Sequence, residues 1–218
     1  MTPTSPEPVP RPAPVIVIIP IGFLDGAKSR LGSVLDAEER RDLVTDLART
    51  TIAAAVASAG TAEVLVVTPD DEARAVALEL GARPLRQRSR GLNAGIREAR
   101  DEALAAGAGA ILILPIDLPA VNAAAIEAVA RVLAEQPPPL VGIVADRHGR
   151  GTNALLLAPA DIIEVQFGGD SHDAHVAAAR TAEAALIEIG GPLSIDLDTP
   201  EDLLLAQATL GPGAVIGG

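Results

Sequence analysis

The sequence predicts an α/β fold built on a largely parallel sheet. Three observations carry that prediction. Short β-branched runs alternate with segments of helical apolar spacing along the early part of the chain. Breaks such as Thr68-Pro69-Asp70, Pro115 and Pro137-Pro138-Pro139 end several of these runs. With 218 residues, 49% of them apolar, the chain is long enough to bury a sizeable core without disulfides or metal clips.

Val15–Ile19 is β-branched and bounded by prolines, which predicts a buried first strand. Pro20–Leu35 lacks helical periodicity, carries Gly22, Gly26 and Gly32, and reads as a loop. Asp36 caps the next helix, with Glu39 in the capping-box position and Leu43, Leu47 and Ala54 on one face. Ala62–Val67 predicts a second strand, ended by Thr68-Pro69-Asp70. A helix over Glu72–Leu80, a short strand over Ala82–Leu85, a basic loop over Arg86–Gly91 and a helix from Asn93 to Ala106 follow. Ala110–Leu114 predicts a strand stopped by Pro115, and Ala123–Ala134 a helix broken by Pro137-Pro138-Pro139.

Leu140–Ala145 and Asn153–Leu157 predict two strands around a polar turn, either in the main sheet or as a separate ribbon. Ser171–Ala182 predicts a helix, and Leu186–Ile189 and Leu193–Leu197 the last strands. Thr199 caps a final helix whose start Asp202 reinforces. Residues 14–210 then make a single domain. The proline-rich residues 1–13 read as a flexible tail and residues 211–218 as a loose end.

Composition narrows the chemistry. With no cysteine, disulfide frameworks, thiolate catalysis and cysteine-ligated zinc are out, and a reducing cytoplasm fits. A net charge of −12 argues against a nucleic-acid binder, and 1% aromatics against base-stacking platforms. No run is long and apolar enough for a membrane span, and the first thirteen residues hold no apolar signal-peptide core. A small anionic substrate remains compatible, because a local basic loop and a metal can hold phosphates on an acidic protein.

In parallel sheets ligands bind beyond the carboxyl ends of the strands, so the loops that follow strands are the informative ones. After the first strand come Lys28, the only lysine, and Arg30. A compact ammonium and a planar guanidinium on a glycine-containing loop suit a triphosphate, although the spacing is neither a Walker A nor a dinucleotide fingerprint. A solvated charged loop is the alternative.

Asp117 sits past the Ala110–Leu114 strand, between Pro115 and Pro119. It suits magnesium, which prefers carboxylate and phosphate oxygens, and otherwise a turn or cap. The metal reading draws on a second acidic pair, Asp196 and Asp198, which alternation would place on one face of a strand end. Asp146–Asn153 is dense in polar residues and glycine, with Gly151 and Thr152 amides that suit an anion. Phe167-Gly168-Gly169-Asp170-Ser171 before a helix is a second anion-binding candidate. His172 and His175 lie there too, with too few other ligands nearby for a metal site. Asn93 opens a helix, as its cap or as a hydrogen-bond partner for a base.

Six motifs in one order resemble the guanylyltransferases of coenzyme F420 biosynthesis, the CofC or FbiD family. They are Ala27-Lys28-Ser29-Arg30-Leu31, Gly91-Leu92-Asn93-Ala94, Asp117-Leu118-Pro119, Asp146-Arg147-His148 with Gly151-Thr152-Asn153-Ala154-Leu155, Phe167-Gly168 with Ser171, and Asp196-Leu197-Asp198-Thr199-Pro200. The resemblance spans nearly all of Val15–Leu210. It implies a Rossmann-like, GT-A-like three-layer nucleotidyltransferase fold with a mostly parallel, mixed sheet. It also implies GTP as donor, Mg2+ as cofactor, and a three-carbon phosphorylated acid as acceptor: phosphoenolpyruvate, 2-phospho-L-lactate or, in some members, 3-phosphoglycerate.

By the same resemblance Asp117 and Asp196 match metal-binding aspartates, with Asp198 the close alternative. Lys28 and Arg30 match the basic loop facing the triphosphate, and Asn93 a nucleotide-side position. Thr152, Gly168 and Ser171 match positions that hold the acceptor. A downstream transferase of F420 biosynthesis is the implied partner, and a homo-oligomer is compatible with the sequence.

The chain departs from the family pattern at three places. Gly22 stands where a lysine is often found, Arg150 where a threonine is common, and Ala174 where an arginine precedes the histidine. Two other readings therefore stay open: a nucleotidyltransferase with another nucleotide or acceptor, and a non-catalytic nucleotide-binding protein.

Overall fold

The structure, a computed structural model, describes residues 15–210. The expected tail at 1–13 and loose end at 211–218 lie outside the described residues. Seven strands form one sheet: β1 (Val15–Pro20), β2 (Thr61–Thr68), β3 (Arg83–Arg86), β4 (Ala110–Ile113), β5 (Leu140–Ala145), β6 (Thr152–Ala158) and β7 (Ala185–Glu188). Their order is β3-β2-β1-β4-β6-β5-β7. β1 pairs in parallel with β2 and β4, and β3 and β7 are parallel to their neighbours. Only β6 runs antiparallel to the strands beside it. The sheet is therefore mixed and mostly parallel, and the two strands around the polar turn join it rather than forming a ribbon.

Six helices flank the sheet: α1 (Ala37–Ala57), α2 (Asp71–Glu79), α3 (Leu92–Ala105), α4 (Ala123–Glu135), α5 (Ser171–Thr181) and α6 (Pro200–Leu210). Every residue of β1 is buried, because both faces of the sheet are covered. Val15, Val17 and Ile19 pack with residues of α1, α2 and α4 on one side. Ile16 and Ile18 pack with residues of α3 and α5 on the other. Odd and even positions of one strand thus serve two apolar layers. A third, smaller cluster of Leu31, Leu43, Leu47, Leu197 and Ala206 fastens α6 and the loop after β1 to α1.

Local signals account for the helix starts. Asp36 Oδ1 accepts from the amides of Glu38 and Glu39, and the Glu39 carboxylate accepts in turn from the Asp36 amide. Asp70 caps α2 by accepting from the amides of Glu72 and Ala73, and also accepts from the Leu24 amide at 3.2 Å, tying the loops after β1 and β2 together.

One expected strand is absent. Leu193–Leu197 forms a 3-10 turn over Pro192–Ser194 and then crosses the carboxyl ends of the strands. Its backbone is satisfied elsewhere. Asn153 Nδ2 donates to the Leu193 carbonyl at 2.9 Å, and the Leu197 amide donates to the Asp117 carbonyl at 2.9 Å. Leu193 and Leu197 are buried between elements, so apolar alternation arises here without a sheet neighbour.

Among the described residues no helix is long and apolar enough to cross a membrane. The strand order reverses direction between β1 and β4, and the loops after these strands open on the crevice at that switch point.

Candidate active site

The loop after β1 turns at Lys28, whose backbone is left-handed (φ 51°), into a 3-10 turn over Ser29–Leu31. Leu31 is fully buried and anchors that turn. The Lys28 side chain reaches across the switch point. Its Nζ lies 3.1 Å from Asp117 Oδ2 and 2.6 Å from Asp198 Oδ1. Burial alone would lower the lysine pKa, but the two carboxylates outweigh it and raise the pKa, so the ammonium stays charged. Arg30 approaches the other oxygen of Asp198 at 3.6 Å with 74% of its side chain exposed, which leaves it free to swing toward a ligand.

Asp117 follows β4 at the adjacent strand end, and its carbonyl receives the Leu197 amide. That bond, with burial of Leu197 and the Asp202 cap, brings Asp196 and Asp198 to the switch point. The structure therefore gathers Lys28, Arg30, Asp117, Asp196 and Asp198, although the aspartate pair does not sit on a strand. Asp196 is half-buried, and its pKa is raised by burial first and then by the charges of Asp117, Asp198 and Asp202. Among the described residues no three acidic or histidine groups form a ready-made metal cage.

Asp202 supports this wall from behind. It accepts from the amides of Asp198 at 3.0 Å and Thr199 at 2.7 Å and from the Thr199 hydroxyl at 2.8 Å. Its other oxygen pairs with Arg147 at 2.5 Å. Burial would raise its pKa, but the bonds from Thr199 and Asp198 and the Arg147 charge hold it below the usual carboxylate range. The sequence signal was the spacing of Thr199 and Asp202; the partnership with Arg147, 55 positions earlier by residue number, had no local signal.

The opposite wall comes from the β5–β6 turn and the loop before α5. Asp146 organises the turn by accepting from the amides of His148 and Arg150. A Cβ on Gly151 would lie 2.8 Å from Asp146 Oδ2, so a side chain there would push that carboxylate aside. Arg150 pairs with Asp170 at 3.0 Å, and its carbonyl accepts from the His172 amide, which joins the two loops. Gly168 has φ 140°, a conformation open to glycine. Thr152, Gly168 and Ser171 all line the same cleft as Asp117, Asp196 and Asp198. The cleft has a volume of about 860 Å3.

Asn93 departs from expectation. Gly91, not Asn93, stands at the cap of α3. The Asn93 amide instead holds Phe167, accepting from its N–H at 2.8 Å and donating to its carbonyl at 2.9 Å. Leu92 lines the cleft and Asn93 does not. Its two bonds clip the loop that bears Gly168 to the start of α3.

One contact had no signal in sequence spacing. His175 is fully buried on α5, with Nδ1 3.0 Å from the Thr152 hydroxyl and Nε2 accepting from the Gln166 amide at 3.0 Å. Phe167 meets its ring edge-on at 5.2 Å. Burial, with the neighbouring His172 charge, pushes its pKa down to about 4, so the ring is neutral.

An acidic wall with a buried lysine on one side of a switch-point cleft, and an amide-rich wall on the other, has the form of a nucleotide-transfer site. The fold is that of the nucleotidyltransferases. A chain from Desulfovibrio desulfuricans G20 classed as a nucleotide-diphospho-sugar transferase superposes with a TM-score of 0.73 at 16% identity, covering 91% of this chain and 88% of that one. A nucleotidyl transferase from Methanothermobacter superposes with a TM-score of 0.62 at 20% identity, covering 89% and 97%.

Residues 15–207 match the family of CofC-like guanylyl transferases, and the chain belongs to that family. A phosphoenolpyruvate guanylyltransferase of Rubrobacter xylanophilus is 40% identical over 198 residues, 90% of this chain and 95% of the relative. One from Sphaerobacter thermophilus is 41% identical over 90% of this chain and 95% of the relative. A 2-phospho-L-lactate guanylyltransferase of Methanocaldococcus fervens is 32% identical over 86% and 82%.

Proposed function

We propose that residues 14–210 act as one domain that transfers GMP from GTP to phosphoenolpyruvate or 2-phospho-L-lactate, releasing pyrophosphate, in cytoplasmic coenzyme F420 biosynthesis. Family membership supports the guanylyl transfer, and the names of the relatives support the two acids. The observation that carries the site assignment is Lys28, held behind Asp117 and Asp198, which line a cleft whose far wall offers Thr152, Gly168 and Ser171.

Magnesium fits these residues. The available donors are carboxylate oxygens, and Asp196 is half-buried among like charges with no cation beside it among the described residues. Asp117, with Asp196 or Asp198, would hold the ion, and bound there it would neutralise phosphate charge. Two carboxylates suffice, since phosphate oxygens and water complete such a shell.

The acceptor's phosphate oxygen is already ionised at neutral pH, so the reaction needs no general base. That oxygen attacks the α-phosphorus of GTP in line. The new P–O bond forms as the bond to the β-phosphate bridging oxygen breaks, and pyrophosphate departs with the electron pair. Lys28 and Arg30 offset the charge that gathers on the leaving pyrophosphate. Thr152, Gly168 and Ser171 hold the acceptor on the far wall, so that attack becomes a matter of alignment.

Pyrophosphate release tests this reading across GTP, ATP, CTP and UTP with phosphoenolpyruvate, 2-phospho-L-lactate and 3-phosphoglycerate. Turnover is expected with GTP and one of the acids, with the GMP adduct seen by mass spectrometry and consumed by a downstream transferase. Asp117→Ala is expected to abolish metal-dependent turnover while the circular dichroism spectrum stays that of the parent. GTP binding without turnover in the parent, or full activity in Asp117→Ala, would overturn the assignment.

A further inference from the structure

The buried pairing of His175 with Thr152 has a consequence for substrate binding that rests on the acceptor wall proposed above. The Gln166 amide is an obligate donor, and it points at His175 Nε2 at 3.0 Å. Nε2 must therefore be the bare nitrogen. A neutral imidazole carries one N–H, so the hydrogen is on Nδ1. Nδ1–H in turn donates to Thr152 Oγ1 at 3.0 Å.

A hydroxyl has one hydrogen to give. With Oγ1 accepting from His175, that hydrogen is left for another partner, and among the described residues no acceptor takes it. Thr152 lines the cleft, so its free donor serves the cleft. Were the tautomer reversed, the Thr152 hydrogen would be drawn to Nδ1 and the cleft would meet a lone pair, which repels an anion.

We infer that His175 is a positioning residue, which fixes the Thr152 hydroxyl as a hydrogen-bond donor toward the carboxylate of the acceptor acid. The phosphate of that acid must reach the α-phosphorus beside Asp117 and Lys28. Its carboxylate is the anionic group left for the far wall. His175 touches neither substrate. It acts through the direction in which one hydroxyl points.

Two amide substitutions separate the two bonds of the ring. An asparagine amide reaches the place of Nδ1, and a glutamine carbonyl the place of Nε2. His175→Asn keeps the donor to Thr152 and is expected to hold the acceptor KM within about threefold of the parent. His175→Gln keeps the acceptor for Gln166, loses the donor to Thr152, and is expected to raise the acceptor KM about tenfold with the GTP KM unchanged. Adding Thr152→Val to His175→Gln is expected to cost nothing further, as both act through one hydrogen bond.

Long-range 1H–15N spectra of the full chain are expected to show His175 as the Nδ1–H tautomer. An Nε2–H tautomer overturns the inference, as does equal impairment of the two variants with the GTP KM moving alongside. If the parent turns over no acid, the guanylyltransferase reading falls by itself. Calorimetric titration of phosphoenolpyruvate into the parent and His175→Gln then decides, and equal affinities overturn the role of His175.

Discussion

At the scale of single residues, the site depends on charges and tautomers that burial controls. His175 has a folded-state pKa of about 4 against an ordinary value of 6.5, so the unfolded chain binds its proton first as pH falls. The stability tied to neutral His175 is fully present above 6.5 and is lost as pH drops toward 4, on the order of 3 kcal/mol in all. The one titratable neighbour acting on it is His172, whose protonation also opposes that of His175. Urea unfolding midpoints measured from pH 7 to pH 4 are expected to fall less steeply in His175→Asn than in the parent. Parallel profiles would show that this histidine does not set the slope.

Some of these residues were legible beforehand. Lys28 stood out as a lone lysine after a strand, and Asp117 as an acid between prolines at a strand end. The His175–Thr152 pair was not legible, because 23 positions separate the partners and no periodicity links them.

At the scale of elements, the start of α6 does two jobs. Its capping interaction holds the Asp196–Asp198 segment across the strand ends, and Asp202 at its core also receives Arg147 from the β5–β6 turn. With its side chain only 5% exposed, Asp202 cannot exchange these partners for water. Asp202→Ala is expected to lower stability by about 1–2 kcal/mol, from the lost cap. Chemical denaturation measures it, and a change within about 0.5 kcal/mol would show that water replaces the carboxylate.

The elements themselves were mostly readable, because strands covered on both faces leave apolar runs and helix caps leave short polar signatures. Leu193–Leu197 misled for a physical reason. Burial of Leu193 and Leu197 in two different apolar clusters produces the same alternation as a strand. Only the tertiary partners of its backbone, Asn153 and Asp117, distinguish the two.

At the scale of the whole molecule, the third apolar cluster couples folding to the site. Leu197 lies between Asp196 and Asp198 and is fully buried against Leu31, which follows Lys28 and Arg30. One cluster thus registers the basic loop against the acidic segment. Leu197→Ala is expected to cost about 2–5 kcal/mol by leaving a cavity there. It should also lower kcat beyond any loss of folded protein, measured at a temperature where the variant remains native. An unchanged kcat in folded Leu197→Ala would separate the cluster from catalysis.

The reversed direction of β6 gives the molecule a division of labour. Because that strand starts where its neighbours end, the hairpin from Leu140 to Ala158 brings its tip to the cleft, where it meets the loop before α5 to form one wall. The wall that carries Arg30, Asp117, Asp196 and Asp198 is assembled from the loops after β1 and β4 and the segment before α6. Arg147 in the hairpin tip holds Asp202, so changes confined to 148–151 are the ones expected to reshape the hairpin's wall while the Asp196–Asp198 segment keeps its support. A lineage reshaping that wall needs to edit only two short loops, this tip and the stretch before α5.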